Sequence, residues 1–326
     1  MTRHHRSTWC ERLALGVALA CLGSLTALPE TRAAGAPLAI WVPWAAAAEA
    51  TESALSGGLS LLRARGSSMI RVPSSQFRMG STSADIVDAL GLCAREPLAA
   101  SCDERSFSDE LLQHRVQLSS FYLDRREVTV AEYQSCVRVG RCKEPPYDRG
   151  ARRFQEAEFP VTLVSWDDAQ AFCEFRGARL PTEAEFERAA RGPFGRRFPW
   201  GQLANERLAN HGRFGLDVTS DVDGYGELAA VGSFIAGRTP EGFLDLAGNA
   251  AEWVYDRYAI QYPDAAVTDP IGPDQATATS ARVVRGGSYE SPLAWLRGAA
   301  RGALLPSERR PTVGFRCARA QHEEHP

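Results

Sequence analysis

Between residues 210 and 252 the chain places hard oxygen donors in loops free of lysine: Asn210, Asp217, Asp221, Asp223, Asp245, Asn249 and Glu252. Ca²⁺ takes about six to eight oxygens and mixes carboxylates with amide and backbone carbonyls, so this stretch has the composition of a loop-held calcium site. The competing reading is that these acids cap turns and pair with arginines, as Asp and Asn commonly do in loops. Other chemistries find less support. Beyond residue 33 the histidines are His114, His211, His322 and His325, and only the last two are close in sequence. His114 reads as a surface or turn residue, and no three-histidine iron site is evident. No serine lies in a G-x-S-x-G elbow. Ser288, in Gly286-Gly287-Ser288-Tyr289, reads as a partner of the local backbone. Glu290 stands beside Ser291, where a lone acid can act as a general base, although a solvated surface glutamate is the preferred reading.

The residues from Arg285 to Arg319 interleave charge with aromatics. Val283-Val284 reads as a strand ending at Gly286-Gly287, where only hydrogen side chains fit. Tyr289, Glu290, Ser291, Trp295, Arg297 and Arg301 then read as the floor and wall of a ligand cleft.

The elements that must hold these groups are short. Gly 28 and Pro 19 in 326 residues favour many turns over long regular elements. A net charge of −3 gives no reason to expect a nucleic-acid partner. Met69–Val72 and Gln76–Gly80 read as two short strands around a turn, and residues 81–110 as a long insertion. Three capping boxes mark helix starts, at Thr129–Glu132, Ser165–Asp168 and Thr182–Glu185. Gly140, Gly177 and Gly192 are the matching stops.

The N-terminus carries the three parts of an export signal: basic Arg3, Arg6 and Arg12, an apolar core from Leu13 to Leu28, and a cut site before Ala34. Residues 1–33 are therefore read as a signal peptide, 34–66 as a linker or loose helix, 67–319 as one domain and 320–326 as a tail. The expected location is periplasmic or extracellular, without a membrane helix once the signal is removed. Cys21 after Ala18-Leu19-Ala20 leaves a lipid-anchored form open. Export leaves six cysteines, and an even number in an oxidising compartment favours disulfides. Cys93 with Cys102 and Cys136 with Cys142 are close enough to pair locally, which would leave Cys173 for Cys317. Six cysteines still allow about 15 connectivities.

Five ordered motifs carry a family resemblance: Arg179-Leu-Pro-Thr-Glu-Ala-Glu-Phe-Glu187, Phe198-Pro-Trp-Gly201, Gly242-Phe-Leu-Asp-Leu-Ala-Gly-Asn-Ala-Ala-Glu-Trp253, Arg285-Gly-Gly-Ser-Tyr289 and Gly314-Phe-Arg-Cys317. Residues 67–319 resemble the formylglycine-generating enzyme, or sulfatase-modifying factor, family. The resemblance implies a single α+β domain of low regularity, related to the C-type lectin fold. It also implies two structural calcium ions. One would be held by the Asn210 side chain, the His211 carbonyl, the Asp223 carboxylate and the Tyr225 carbonyl. The other would be held by Asp245, the Gly248 and Ala250 carbonyls, and Glu252. The family joins the positions of Cys173 and Cys317.

Catalytic relatives hold Cu(I) with two cysteines just after the Gly-Gly-Ser segment. Counted from Gly286, the first position falls on Ser291 and the second within Leu293 to Leu296. Serine is a poor ligand for a soft ion and leucine is none. No cysteine lies between Cys173 and Cys317, and Gly298 stands where a further structural cysteine often occurs. Copper is therefore not expected. The sequence reads as an exported, calcium-stabilised, non-catalytic binding domain for an envelope protein, peptide or glycan. The alternative is a divergent formylglycine-generating oxidase or another periplasmic oxidoreductase of the family.

Overall fold

A computed structural model describes residues 68–96, 102–148, 150–213, 222–273 and 280–321. The expected leader and linker, Asp217, Asp221, His322 and His325 lie outside the described residues. The first half runs β1 (Met69–Val72), β2 (Ser75–Met79), α1 (Ser83–Cys93), β3 (His114–Leu118), β4 (Phe121–Asp124), α2 (Val130–Arg138), α3 (Trp166–Phe175) and α4 (Glu183–Arg191). The second half is almost all strand: β5 (Ala251–Arg257), β6 (Val267–Thr268), β7 (Arg282–Arg285), β8 (Arg301–Leu304), β9 (Val313–Phe315) and β10 (Ala318–Ala320).

Among the described residues three small sheets result, ordered β1-β4-β10, β2-β3-β6 and β8-β7-β5-β9. The two strands expected around a turn near residue 73 both form, but they part at that turn. β1 pairs with β4, and β2 pairs with β3. In the largest sheet β5 lies antiparallel to β7 and parallel to β9, and Trp253 at its centre is fully buried. No helix among the described residues is long and apolar enough to cross a membrane.

The three expected helices start at their capping boxes. At Thr129, Ser165 and Thr182 the hydroxyl accepts from the amide three residues on, and the acid there accepts from the cap's own amide. Residues 81–110 correct the reading of a bare insertion. They contain α1, with its own capping box at Thr82 and Asp85, and a 3-10 turn at Glu104–Glu110. Ile86, Ala89 and Leu92 on α1 pack with Phe107, Leu293 and Leu296, so this segment is core.

All nine residues of α4 are buried, although five are charged. A helix this polar ordinarily lies on the surface. Here each charge has a partner. Glu187 bridges Arg191 at 2.8 Å and Arg285 at 2.6 Å. Glu183 holds Arg301 at 2.7 Å, and Glu185 holds Arg179 at 2.6 Å. Arg188 donates to the Ser75 hydroxyl at 2.8 Å. Such pairs add little net stability, but removing one partner strands a buried charge. The disulfides are Cys93–Cys102, Cys136–Cys142 and Cys173–Cys317, the pairing that spacing suggested. The last ties α3 to the end of the chain beside the ring cluster of Tyr133, Phe172 and Phe315.

Candidate functional site

Three loops meet around Asn249. The Asn249 amide donates to the Asn210 carbonyl at 2.8 Å, and the Asn249 carbonyl accepts from the Tyr289 amide at 2.9 Å. The Gly248 amide donates to the Gly286 carbonyl at 3.0 Å, and the Gly212 amide donates to the Ser291 carbonyl at 3.1 Å. Asp245 and Asn249 adopt positive φ of 54° and 60°, and Gly248 has φ 78°. A Cβ on Gly248 would sit 2.1 Å from the Asn210 carbonyl oxygen, so only glycine allows this approach.

Asn210 is buried, and its Oδ1 has no hydrogen-bond partner. Its Nδ2 already donates to the Glu227 carbonyl at 2.8 Å and to Asn249 Oδ1 at 3.0 Å. An orphaned buried acceptor is costly unless a cation or donor reaches it. Asp223 does cap its turn, accepting from the His211 amide at 2.7 Å and the Tyr225 amide at 2.9 Å. Each bond uses one lone pair of an oxygen that carries two, so the carboxylate can still accept. The His211 ring is buried, with its two nitrogens 2.9 Å and 3.2 Å from the Gly212 and Glu206 carbonyls. Tyr225 is partly exposed, and its ring lies against Phe234. The donor set of the first expected calcium site is thus consistent with a hard cation.

Around the second set, three carboxylates are buried against one buried guanidinium. Both Glu252 oxygens accept from Arg316, at 2.6 Å and 2.7 Å. Asp245 accepts from the Gly232 amide at 2.6 Å. The third acid, Glu127, was not anticipated; it accepts from the Ala250 amide at 2.9 Å and Asn249 Nδ2 at 2.8 Å. An acid set between Arg126 and the β-branched run Val128-Thr129-Val130 was the signal available in the sequence. Burial raises all three carboxyls, and Asp245 and Glu252 raise Glu127 further. Carboxyls raised in this way favour their neutral form unless a cation sits among them. Among the described residues no three Asp, Glu, His or Cys side chains gather to hold an ion. Either ion would therefore lean on amide and carbonyl oxygens.

The expected ligand cleft needs correction. Tyr289 and Arg297 are 2% and 3% exposed. Arg297 donates to both Glu110 oxygens, at 2.8 Å and 2.6 Å, and lies over Phe107. Arg301 is committed to Glu183 and to the Asp109 and Ala259 carbonyls, between the rings of Tyr258 and Tyr262. Tyr289 packs with Phe154, Leu228 and Ala250. Trp295 is half-buried, 4.8 Å from the Phe107 ring. Tyr289, Arg297 and Arg301 are core, the two arginines because buried acids on distant segments satisfy them, and Trp295 packs against the core from its edge.

Ser291 is partly exposed, and its Oγ accepts from the Ser288 amide at 2.9 Å. Leu293–Leu296 form a buried 3-10 turn. Glu290 stays exposed; partial burial and Glu227 raise its carboxyl against the pull of Arg310. His114 is a second correction. It is buried at the start of β3, in the wall of a partly open pocket.

A profile of the sulfatase-modifying factor enzyme 1-like domain matches residues 60–321. The chain belongs to that family. It is 38% identical over 172 residues to the formylglycine-generating enzyme of Streptomyces coelicolor, covering 49% of this chain and 52% of that one. It is 34% identical over 181 residues to the inactive C-alpha-formylglycine-generating enzyme 2 of Bos taurus, covering 53% and 54%. The chain therefore spans about half the length of these curated relatives. Among solved structures, PvdO from Pseudomonas aeruginosa superposes with a TM-score of 0.61 at 24% identity, covering 77% of this chain and 94% of that one. CarF superposes at 0.51 with 20% identity, covering 78% and 99%. The sulfatase-modifying-factor fold expected from the motifs is the fold found, a mixed α and β domain with few helices.

Proposed function

We propose that this sulfatase-modifying-factor domain is an exported, calcium-stabilised binding module that does not oxidise cysteine to formylglycine. The observation carrying this reading is the chemistry after Gly287. The positions that the family resemblance assigns to copper-holding cysteines carry Ser291 and the apolar turn Leu293–Leu296. Cys93, Cys102, Cys136, Cys142, Cys173 and Cys317 are all bound in disulfides. A thiolate pair is what a soft Cu(I) ion requires, and a serine hydroxyl engaged with Ser288 does not replace one. The purified protein, given copper and oxygen, is expected to leave a Cys-x-Pro-x-Arg peptide unchanged by mass spectrometry. Catalytic loss of the thiol mass would overturn the reading. It would favour the rival, a divergent oxidase, for which the 38% identity to the Streptomyces enzyme speaks.

Calcium, where bound, supplies charge neutralisation and not catalysis. Asn210 Oδ1, the His211 and Tyr225 carbonyls and Asp223 would hold one ion. Asp245, the Gly248 and Ala250 carbonyls and Glu252 would hold the other. A ligand bound only by the folded state stabilises it by about 2.7 kcal/mol at a hundredfold excess over Kd. EDTA should therefore lower the unfolding midpoint by about 5–10 °C, and Asp223→Ala should blunt that response. A melting curve indifferent to EDTA would sink the assignment. The open rim beside these loops, formed by Glu290, Ser291 and the Arg153–Glu227 ion pair, is the surface offered to an envelope peptide or glycan.

A further inference from the structure

A cavity of about 830 Å³ lies between the start of α4 and the loop that follows β5. Its volume is that of a small-molecule site, which typically spans about 300–1,000 Å³. Met79, Ala184, Tyr262 and Val267 contribute apolar wall. Four buried polar side chains also line it: Glu183 and Arg301, which pair with each other, and Asp256 and His114, at 4% and 6% exposure. One Asp256 oxygen accepts from the Glu183 amide at 2.8 Å, and the other has no protein partner among the described residues. His114 Nδ1 lies 3.0 Å from the Leu112 carbonyl. That contact assigns the proton to Nδ1 and leaves Nε2 a lone-pair acceptor without a protein partner. His114 Nε2 is thus a free acceptor, and the free Asp256 oxygen becomes a second one when its carboxyl ionises.

The charge around Asp256 points the same way. Burial and then Glu183 push its carboxyl up to about 8, with Glu185 adding to the rise and Arg301 opposing it. Arg301 cannot act as a close counter-ion, because Glu183 and two carbonyls already hold it. Tyr262, its ring tilted against His114 with centroids 5.2 Å apart, donates its hydroxyl to Glu183 at 3.0 Å. A positive group entering the cavity would be the missing partner of Asp256.

We propose that this cavity binds a small amine, its ammonium group held by Asp256 and His114 and its apolar body against Met79, Ala184, Tyr262 and Val267. The site is separate from the Asn249 loops, and it stands whether or not the domain binds calcium or retains oxidase activity. Calorimetry on the full chain at pH 7 tests it, with phenethylamine compared against the neutral 2-phenylethanol. A hydrogen-bonded charge contributes about 1.5–3 kcal/mol, so the amine should bind about tenfold or more tighter than the alcohol. Asp256 enters the complex ionised but holds a proton in the free protein, so binding should release up to one proton, read as a dependence of the heat on buffer ionisation enthalpy.

Asp256→Asn should bring the two ligands to similar affinity and abolish the proton release. His114→Phe should weaken the amine while proton release persists. Should Asp256→Asn not fold, the alcohol comparison and the proton count on the unmodified protein decide. Equal affinity for the two ligands, no binding of millimolar amine, or binding without proton release each overturns the proposal.

Discussion

Arg297→Ala lowers the unfolding free energy by about 3–5 kcal/mol, an expected drop of roughly 10 °C in the midpoint for a domain of this size. The size follows from what is left behind. Glu110 is 1% exposed and receives two guanidinium bonds from Arg297, besides one from the Ser81 hydroxyl at 2.7 Å. Without the arginine, the Glu110 carboxyl stays in the core with a single neutral donor, the Ser81 hydroxyl. The lost contact with the Phe107 ring, whose centroid lies 4.7 Å from the guanidinium, adds to the loss. Arg105→Ala is the control: its pair with Asp103 lies in solvent, with the arginine side chain 90% exposed, and the midpoint should not move.

The double change Arg297→Leu with Glu110→Leu should recover most of the loss, since a buried pair replaced by apolar groups is often neutral. Thermal unfolding by circular dichroism measures all three. A small effect of Arg297→Ala, comparable to the control, would restore Arg297 to an open cleft and contradict its place in the core.

Removing the Cys173–Cys317 bridge as a double alanine variant should cost more than removing either local bridge. It closes a separation of 144 residues, against 9 for Cys93–Cys102 and 6 for Cys136–Cys142. Loop-closure entropy gives roughly 5 kcal/mol for the long loop and about 2–3 kcal/mol for each short one. The long-loop figure is a ceiling, because an unfolded chain keeps some residual structure. Both sulfurs are fully buried, one on the inner face of α3 and one between β9 and β10. The bridge therefore clamps the chain end against the Tyr133, Phe172 and Phe315 rings. Guanidinium titration of the three double variants tests the ranking. A long-bridge variant no weaker than the local ones would show that β10 and α3 hold together without it.

The local features of this domain were readable from its residues because both partners lie within a few positions of each other. A hydroxyl and an acid three residues apart, at Thr129, Ser165 and Thr182, close the same two hydrogen bonds wherever the helix is placed. The local cysteine pairs obey the same short-range logic. The turn at Gly286-Gly287 does too, with its positive φ at both residues. The ordered motifs named the family, and with it the long bridge.

Burial was a different matter, for it depends on partners the local pattern does not contain. Arg297 and Arg301 looked like cleft residues because their acids, Glu110 and Glu183, stand 187 and 118 residues away. The polar α4 lies inside for the same reason, since its charges are met by Arg179, Arg285 and Arg301 from three other segments. Glu127 and His114 carry no motif. One acquires its meaning from the Asn249 loop and the other from the cavity beside Tyr262. A charge is stable in a core only when the folded chain brings its counter-charge or donors alongside, and that arrangement exists only once the three sheets and α4 have packed.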